Sequence, residues 1–501
     1  MKKRRILAVS IFLALLLGAC ARDQQTAPAV DATCESTAGA AAAVRSTPLP
    51  GQTPAPLGGM AEVGVAPDPS PAPQVYVVQS GDTLSGIAIR FGCTVDALAR
   101  ANTLANPNAL TVGQVLQVPH TEMESGPALR LLPNSEFVYG PAYVDFDTAA
   151  FATSRGGYLA EYYETVNGDL LTGPEIVDLV AHHYSVGPRL LLAIMELRSG
   201  WVTNPSPTTG AAMGYTGSGW DRLSQQLAWA ADALNKGYYD WRGRGVQPIT
   251  WPDGSATRYA SSLNAATAGI QYFFSLDNYK ADWLRLVGDG PDSLLATYRR
   301  LFGEPASYAV EPLIPATVTC PNLSLPWAEG ELWYYTGGPH GAWADGSAWA
   351  AIDVVPDEGY LGCQAATAWA RAAAPGLVVY SHNGEVMVDL DGDGHEQTGW
   401  VLFYLHVAAD GRVPVGTHVE RGDPIGHPSC EGGFSQSTHL HFARKYNGEW
   451  IAADGPLPLV LSGWRVHAAH TDYEGTITRG GEERTACECR EPEFNGLTGE
   501  R

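Results

Sequence analysis

The chain has 501 residues, with 53 acidic against 31 basic side chains and a formal net charge of −22. Such an acidic balance argues against nucleic acid as a partner, and any hold on an anionic surface must be specific rather than Coulombic. The length leaves room for about three domains and ample core.

The first twenty residues read as a targeting segment. Lys2-Lys3-Arg4-Arg5 is a positive n-region, and Ile6 to Leu17 is an apolar core too short for a comfortable membrane span. It ends in Leu17-Gly18-Ala19-Cys20, which resembles the lipobox of bacterial lipoproteins. That resemblance implies cleavage before Cys20 and lipidation of its thiol and new amine. The protein would then sit in the cell envelope, exported and membrane-anchored on the outer side of the cytoplasmic membrane or in the periplasm or outer membrane. The plainer reading is an ordinary secretory signal that contains a cysteine. Residues 21–73 are rich in Ala, Pro, Gly and Thr with little periodic apolar signal, the pattern of a disordered tether.

Residues 74–120 predict a small βααβ unit. Val75-Tyr76-Val77-Val78 has a strand pattern, and Ser80-Gly81-Asp82-Thr83-Leu84 turns into a helix beginning at Ser85. A second helix runs from about Thr94 to Ala101, Asn106-Pro107-Asn108 makes a turn, and Gln114-Val115-Leu116-Gln117-Val118 closes the unit as a strand. The stretch resembles a LysM module, a family that binds N-acetylglucosamine-containing glycans. Carried over, the glycan groove would lie between Gly81, Asp82, Thr83 and Leu84 on one side and Asn106, Pro107 and Asn108 on the other. The same residue types are also what the turns need.

Residues 121–315 predict a helical unit. Pro174 stands near a helix start, with Ile176, Val177, Leu179 and Val180 as its inner face. The run from Ser185 to Trp201, with Leu234 to Tyr239 and Asn264 to Tyr272, resembles the lysozyme-like fold of lytic transglycosylases and glucosaminidases. Those enzymes carry an acid Glu immediately before a Ser-Gly-aromatic turn, and here that position is Arg198. A guanidinium cannot donate a proton at neutral pH. Glu196, two residues earlier, faces about 200° around the helix. The unit is therefore expected to be non-catalytic, with Glu196 as a displaced acid the alternative.

Residues 316–501 predict mostly antiparallel β structure, with strands at Leu377-Val378-Val379-Tyr380, Val386-Met387-Val388 and Val401-Leu402-Phe403-Tyr404. In Ser437-Thr438-His439-Leu440-His441-Phe442-Ala443, strand alternation puts His439 and His441 on one face. With His340, Asp353 and His406 upstream, two His and one carboxylate would make an open, catalytic-type zinc site. The segment from about Pro326 to Trp464 resembles the lysostaphin-like zinc endopeptidases that cut peptidoglycan peptides. That resemblance implies one Zn2+ held by His340, Asp353 and His441, with His406 and His439 as catalytic partners. Twelve residues between His340 and Asp353 resemble the β-lytic, staphylolysin-like branch, which implies glycine-containing cross-links as targets. Gly416 to Gly426 fits the family's glycine-rich approach to the H-x-H strand.

Asp389-Leu390-Asp391-Gly392-Asp393-Gly394 opens like a calcium loop, but its twelfth position is Trp400 rather than Glu. An acidic hairpin turn is the expected reading. Setting Cys20 aside, seven cysteines remain. An exported setting permits disulfides, the odd number leaves at least one thiol outside intramolecular pairs, and bridges are plausible among Cys320, Cys363, Cys430, Cys487 and Cys489.

The expectation is thus a multidomain α+β chain: a LysM module, a mostly α lysozyme-like middle and a mostly antiparallel-β peptidase. Its function would be zinc-dependent hydrolysis of peptidoglycan cross-link peptides, with peptidoglycan glycan and peptide, and the membrane through Cys20, as partners. The alternatives are a non-catalytic wall-binding scaffold that regulates other hydrolases, or glycan-strand cleavage by the middle unit.

Overall fold

The computed structural model describes residues 74–499 apart from 80, 81, 92, 94, 105, 107–109 and 119–123. The signal segment, the tether, Cys20, Cys34, Gly81, Pro107 and Asn108 lie outside the described residues. Among those described, no helix is long and apolar enough to cross a membrane.

The N-terminal unit is β1 (Gln74–Val77), α1 (Leu84–Phe91), α2 (Val95–Ala101) and β2 (Val115–Val118), with β1 and β2 paired antiparallel. Alternation in the strands sends Tyr76, Leu116 and Val118 inward, against Leu84, Ile87, Ala88 and Leu98 of the helices. Cys93 is a buried thiol of the same core.

The middle unit is built on five helices: α3 (Gly173–Tyr184), α4 (Pro188–Ser199), α5 (Leu223–Tyr239), α6 (Ala265–Ser275) and α7 (Leu294–Phe302). Thr172 and Glu175 form a capping box at the start of α3, with Pro174 in its first turn. Ile176, Val177 and Val180 are buried as the pattern requires, whereas Leu179 is only half-buried and lines a cavity. α4 is fully buried from Leu190 to Met195 and forms the centre of the unit, which explains a sequence apolar on every face. α5 and α6 approach closely because a Cβ on Gly237 would stand 2.8 Å from the Gly269 Cα.

The C-terminal unit holds a nine-stranded sheet. Its strands are β3 (Leu332–Gly341), β4 (Trp349–Pro356), β5 (Gly376–His382), β6 (Glu385–Asp389), β7 (Trp400–Leu405), β8 (His418–Val419), β9 (Leu440–Tyr446), β10 (Glu449–Trp450) and β11 (Gly496–Thr498). The order is β8-β5-β6-β7-β9-β4-β3-β11, with β10 paired to β9. Every pairing is antiparallel.

Period-two alternation gives this sheet two different faces. Ile352, Val354, Val386, Val388, Leu402, Tyr404, Leu440 and Phe442 point into a core shared with Trp464, Val466 and Ile477 of a second, four-stranded sheet. Ala351, Met387, Val401, Phe403, Leu405 and Ala443 point the other way, into one continuous core with the helices of the middle unit. The peptidase-like sheet and the helical unit are therefore packed together through a buried interface. The Trp450 backbone N–H of β10 donates to the Tyr239 hydroxyl of α5 at 3.1 Å. The Asp232 carboxylate accepts the Gly346 N–H at 2.8 Å.

The 389–394 segment is the connection between β6 and β7. Asp389 accepts the N–H groups of Asp391 and Gly394, and Asp393 accepts that of His395. These are turn-forming bonds within the hairpin. Two bridges occur among the described residues, Cys363–Cys430 and Cys487–Cys489.

Candidate metal centre

The register of four strands assembles the centre. β9 sets His441 opposite Asp353 of β4 and opposite Leu405 of β7, so His406 follows one step on. β3 sets Gly337 opposite Asp353 and, after an irregularity, His340 opposite Ala351. Gly337 is needed there, since a Cβ would meet Asp353 Oδ2 at 2.8 Å. His439 lies just ahead of β9 in a bridge with Ser429.

His340 Nε2 and His441 Nδ1 are 3.1 Å apart. Asp353 Oδ1 stands 3.3 Å from the first and 3.2 Å from the second. That oxygen is buried and has no hydrogen-bond partner, an arrangement costly to keep without a cation.

The outer nitrogens fix the tautomers. His340 Nδ1 donates to the Gly338 carbonyl at 2.8 Å, and His441 Nε2 donates to the Ala342 carbonyl at 3.0 Å. Each ring therefore turns a lone pair toward Asp353, as a metal-ligating histidine does. The donor set fits a divalent cation of the zinc type, two imidazoles and a carboxylate. The three residues also form a compact metal-capable group, with ligand atoms within 4.8 Å of one another.

His406 and His439 stand beside this group, their rings 4.4 Å apart. His406 Nδ1 donates to the Glu431 carbonyl at 3.0 Å, and His439 Nδ1 donates to the Ser437 carbonyl at 2.8 Å. Both thus keep Nε2 for the site, and His439 Nε2 lies 3.6 Å from Asp353 Oδ1. Burial, reinforced by the His439 and His441 imidazoles, pushes His406 down to about 3, so its ring is neutral. His406 adopts a left-handed backbone, φ 66°. A non-glycine residue rarely does so, and such conformations concentrate at functional sites. Its carbonyl is held by Ser429, next to the Cys363–Cys430 bridge.

Sequence reasoning missed Tyr473, whose ring stacks on His340 at 4.0 Å while its carbonyl accepts the Gly338 N–H at 2.7 Å. Nothing local in Asp472-Tyr473-Glu474 signals that contact. The Gly337-Gly338 pair is the kind of local signal that accompanies a close backbone approach.

The other expected site residues fall elsewhere. Asp82 accepts from the Tyr76 hydroxyl and the Gln79 N–H, both at 2.7 Å, and Thr83 Oγ1 accepts the Gly86 N–H at 3.0 Å. Leu84 is in the hydrophobic core, leaving only its backbone for a ligand. In the middle unit Arg198 pairs with Asp277 at 2.8 Å. Glu196 accepts from the Thr203 N–H and hydroxyl.

Comparison with known proteins bears on the same regions. The LysM domain family matches residues 76–119, and the family described as LasA, N-terminal domain, matches residues 130–316. The chain is 26% identical over 385 residues to Protease LasA of Pseudomonas aeruginosa strain UCBPP-PA14, covering 70% of this chain and 82% of that protein. Against Protease LasA of strain PAO1 the identity is 25% over 419 residues, 78% of this chain and 89% of the relative. The chain is a LysM-bearing metalloendopeptidase similar to Protease LasA. A shorter likeness, 36% over 118 residues, links this metalloendopeptidase to the N-acetylmuramoyl-L-alanine amidase XlyA of Bacillus subtilis, over 23% of this chain and 39% of that protein. Among solved structures, the M23 metalloprotease pseudoalterin from the deep sea is 23% identical, with a TM-score of 0.28 over 34% of this chain and 96% of its own.

Proposed function

We propose that this metalloendopeptidase is an exported cell-wall hydrolase that cuts peptide bonds in peptidoglycan cross-links with zinc held by His340 Nε2, Asp353 Oδ1 and His441 Nδ1. The carrying observation is the buried, hydrogen-bond-free Asp353 Oδ1 between two imidazole lone pairs. Zinc bound there would supply a Lewis acid for the scissile carbonyl and a water of pKa near 7.

The chain's own residues divide the remaining work. His406 is neutral, and its Nδ1–H is committed to the Glu431 carbonyl. Its Nε2 therefore carries a lone pair turned to the site, placed to accept a hydrogen bond from the attacking water. His439, with its Nε2 turned to the site 3.6 Å from Asp353 Oδ1, is the residue placed to meet the developing oxyanion. Tyr473 fixes the His340 ring by stacking.

The LysM unit would hold glycan, through the turn at Asp82 and Thr83 and the turn containing Asn106, and so concentrate the peptidase on the wall. Lipidation of Cys20 would anchor it at the envelope. The helical unit would be non-catalytic. Arg198 and Glu196 are both committed to partners within the unit.

The test is zinc content of the purified chain together with digestion of defined cross-linked peptidoglycan peptides. A chain that holds no zinc at micromolar free metal, or that leaves those peptides intact when zinc-loaded, refutes the reading.

A further inference from the structure

A second group of metal-capable side chains lies in the interface between the helical unit and the sheet. His182 and His183 occupy the last turn of α3, and Glu385 opens β6. Their ligand atoms lie within 4.8 Å of one another, and all three residues are buried. His183 Nε2 is 2.8 Å from Glu385 Oε1, and His182 Nε2 is 3.2 Å from Glu385 Oε2. None of these residues belongs to the His340–Asp353–His441 centre.

The surroundings have the features that accompany a metal site. The outer nitrogen of His182, Nδ1, meets the Glu396 carboxylate at 2.6 Å. That carboxylate is itself held by Lys445 Nζ at 3.3 Å, and the same ammonium donates to the His182 carbonyl at 3.0 Å. With Nδ1–H donated to Glu396, His182 turns its Nε2 toward Glu385, and a bound metal would displace the proton that nitrogen holds between the two carboxylates. This is the carboxylate–histidine–metal relay that orients a ligating imidazole. The His183 ring is fixed by stacking on Trp343 at 4.0 Å, and the His182 ring by Tyr380 at 4.1 Å. A cavity of about 320 Å³, lined by His182, His183, Glu396, Tyr139 and Asp178 among others, opens beside the group and gives an entry path.

We propose that His182, His183 and Glu385 form a second site for a divalent transition-metal ion such as zinc, a clamp joining the helical unit to the peptidase sheet. Two imidazoles and one carboxylate are a zinc-type donor set. Because the ligands come from two units, bound metal would stabilise their contact and free metal would be linked to it.

The test loads the full chain with zinc alone and measures bound zinc by atomic emission, with circular dichroism as the folding control. Asp353→Ala disables the first centre without touching the second group. The folded Asp353→Ala chain is expected to retain one zinc per chain. His183→Gln or Glu385→Gln added to it should remove that zinc, and Glu396→Gln should weaken its binding about 10–100-fold. A folded Asp353→Ala chain without zinc at micromolar free metal overturns the proposal, leaving the group an ion-pair network. Zinc retained equally after His183→Gln and Glu385→Gln also overturns it. If the first centre held no zinc, wild type and Asp353→Ala would carry the same single equivalent, so failure of that reading is distinguishable.

Discussion

His441 and Asp353 face each other across the β9–β4 pair, with Nδ1 and Oδ1 3.2 Å apart, while the far nitrogen of His441 donates to the Ala342 carbonyl. The contact is the basis for proposing His441 as the ligand and His439 as the catalyst of the H-x-H motif. His441→Ala should be inactive and carry one zinc fewer than wild type, because two remaining ligands hold zinc far less tightly. His439→Ala and His406→Ala should keep their zinc and lose about 10²–10⁴ in rate. Zinc stoichiometry beside peptide hydrolysis on the three variants decides it. Zinc loss in His439→Ala with retention in His441→Ala would reverse the roles.

Gly337 makes room for the Asp353 carboxylate. In Gly337→Ala the new methyl would stand 2.8 Å from Oδ2 and 3.0 Å from the Asp353 Cβ, within a paired sheet that resists adjustment. Zinc affinity should fall about 10–100-fold, the range seen when a ligand's support is disturbed, while the far-ultraviolet dichroism stays unchanged. Competition with a chelator of known affinity measures it.

The Cys363–Cys430 bridge holds the loop whose Glu431 carbonyl orients His406. Cys430→Ser should therefore lower kcat more than it raises KM, with zinc content unchanged. Equal kcat in the bridged and unbridged proteins would show that the loop keeps its place without the bond.

Asp178 on α3 provides a pH signature. Burial, with Asp147 and Glu175 adding to it, pushes its carboxyl up to about 6 despite the Thr148 hydroxyl bond. The folded state then binds a proton that the unfolded state releases between about pH 4 and 6, so stability falls as pH rises through that window. Asp178→Asn should raise stability by about 1–2 kcal/mol at pH 7 and by little at pH 4. Thermal melts at the two pH values measure the difference.

The helical unit packs on the same sheet face that carries Asp353 and His441, and His340, His406 and His441 are each no more than 6% exposed. A specific protease site introduced between residues 303 and 322, then cut, should raise hydrolysis of a soluble peptide substrate. Unchanged activity after complete cutting would show that substrate already reaches the centre with the helical unit in place.

Local features were legible in the sequence because they depend on neighbours along the chain. Alternation in Leu440-His441-Phe442 told which side chains enter the core, Pro174 marked a helix start, and Arg198 at the acid position argued against glycan chemistry. The proposed metal ligands His340, Asp353 and His441 could be named from their motifs, but not the tautomers that suit them to that role. Those depend on the carbonyls of Gly338 and Ala342, placed by strand register. Tyr473 reaches His340 from 133 residues away along the chain, and His182 reaches Glu385 from 203. Periodicity and capping act over a few residues, so they fix elements and faces. Which faces meet is decided when the helical unit docks on the sheet, and only that packing brings His182 and His183 to Glu385.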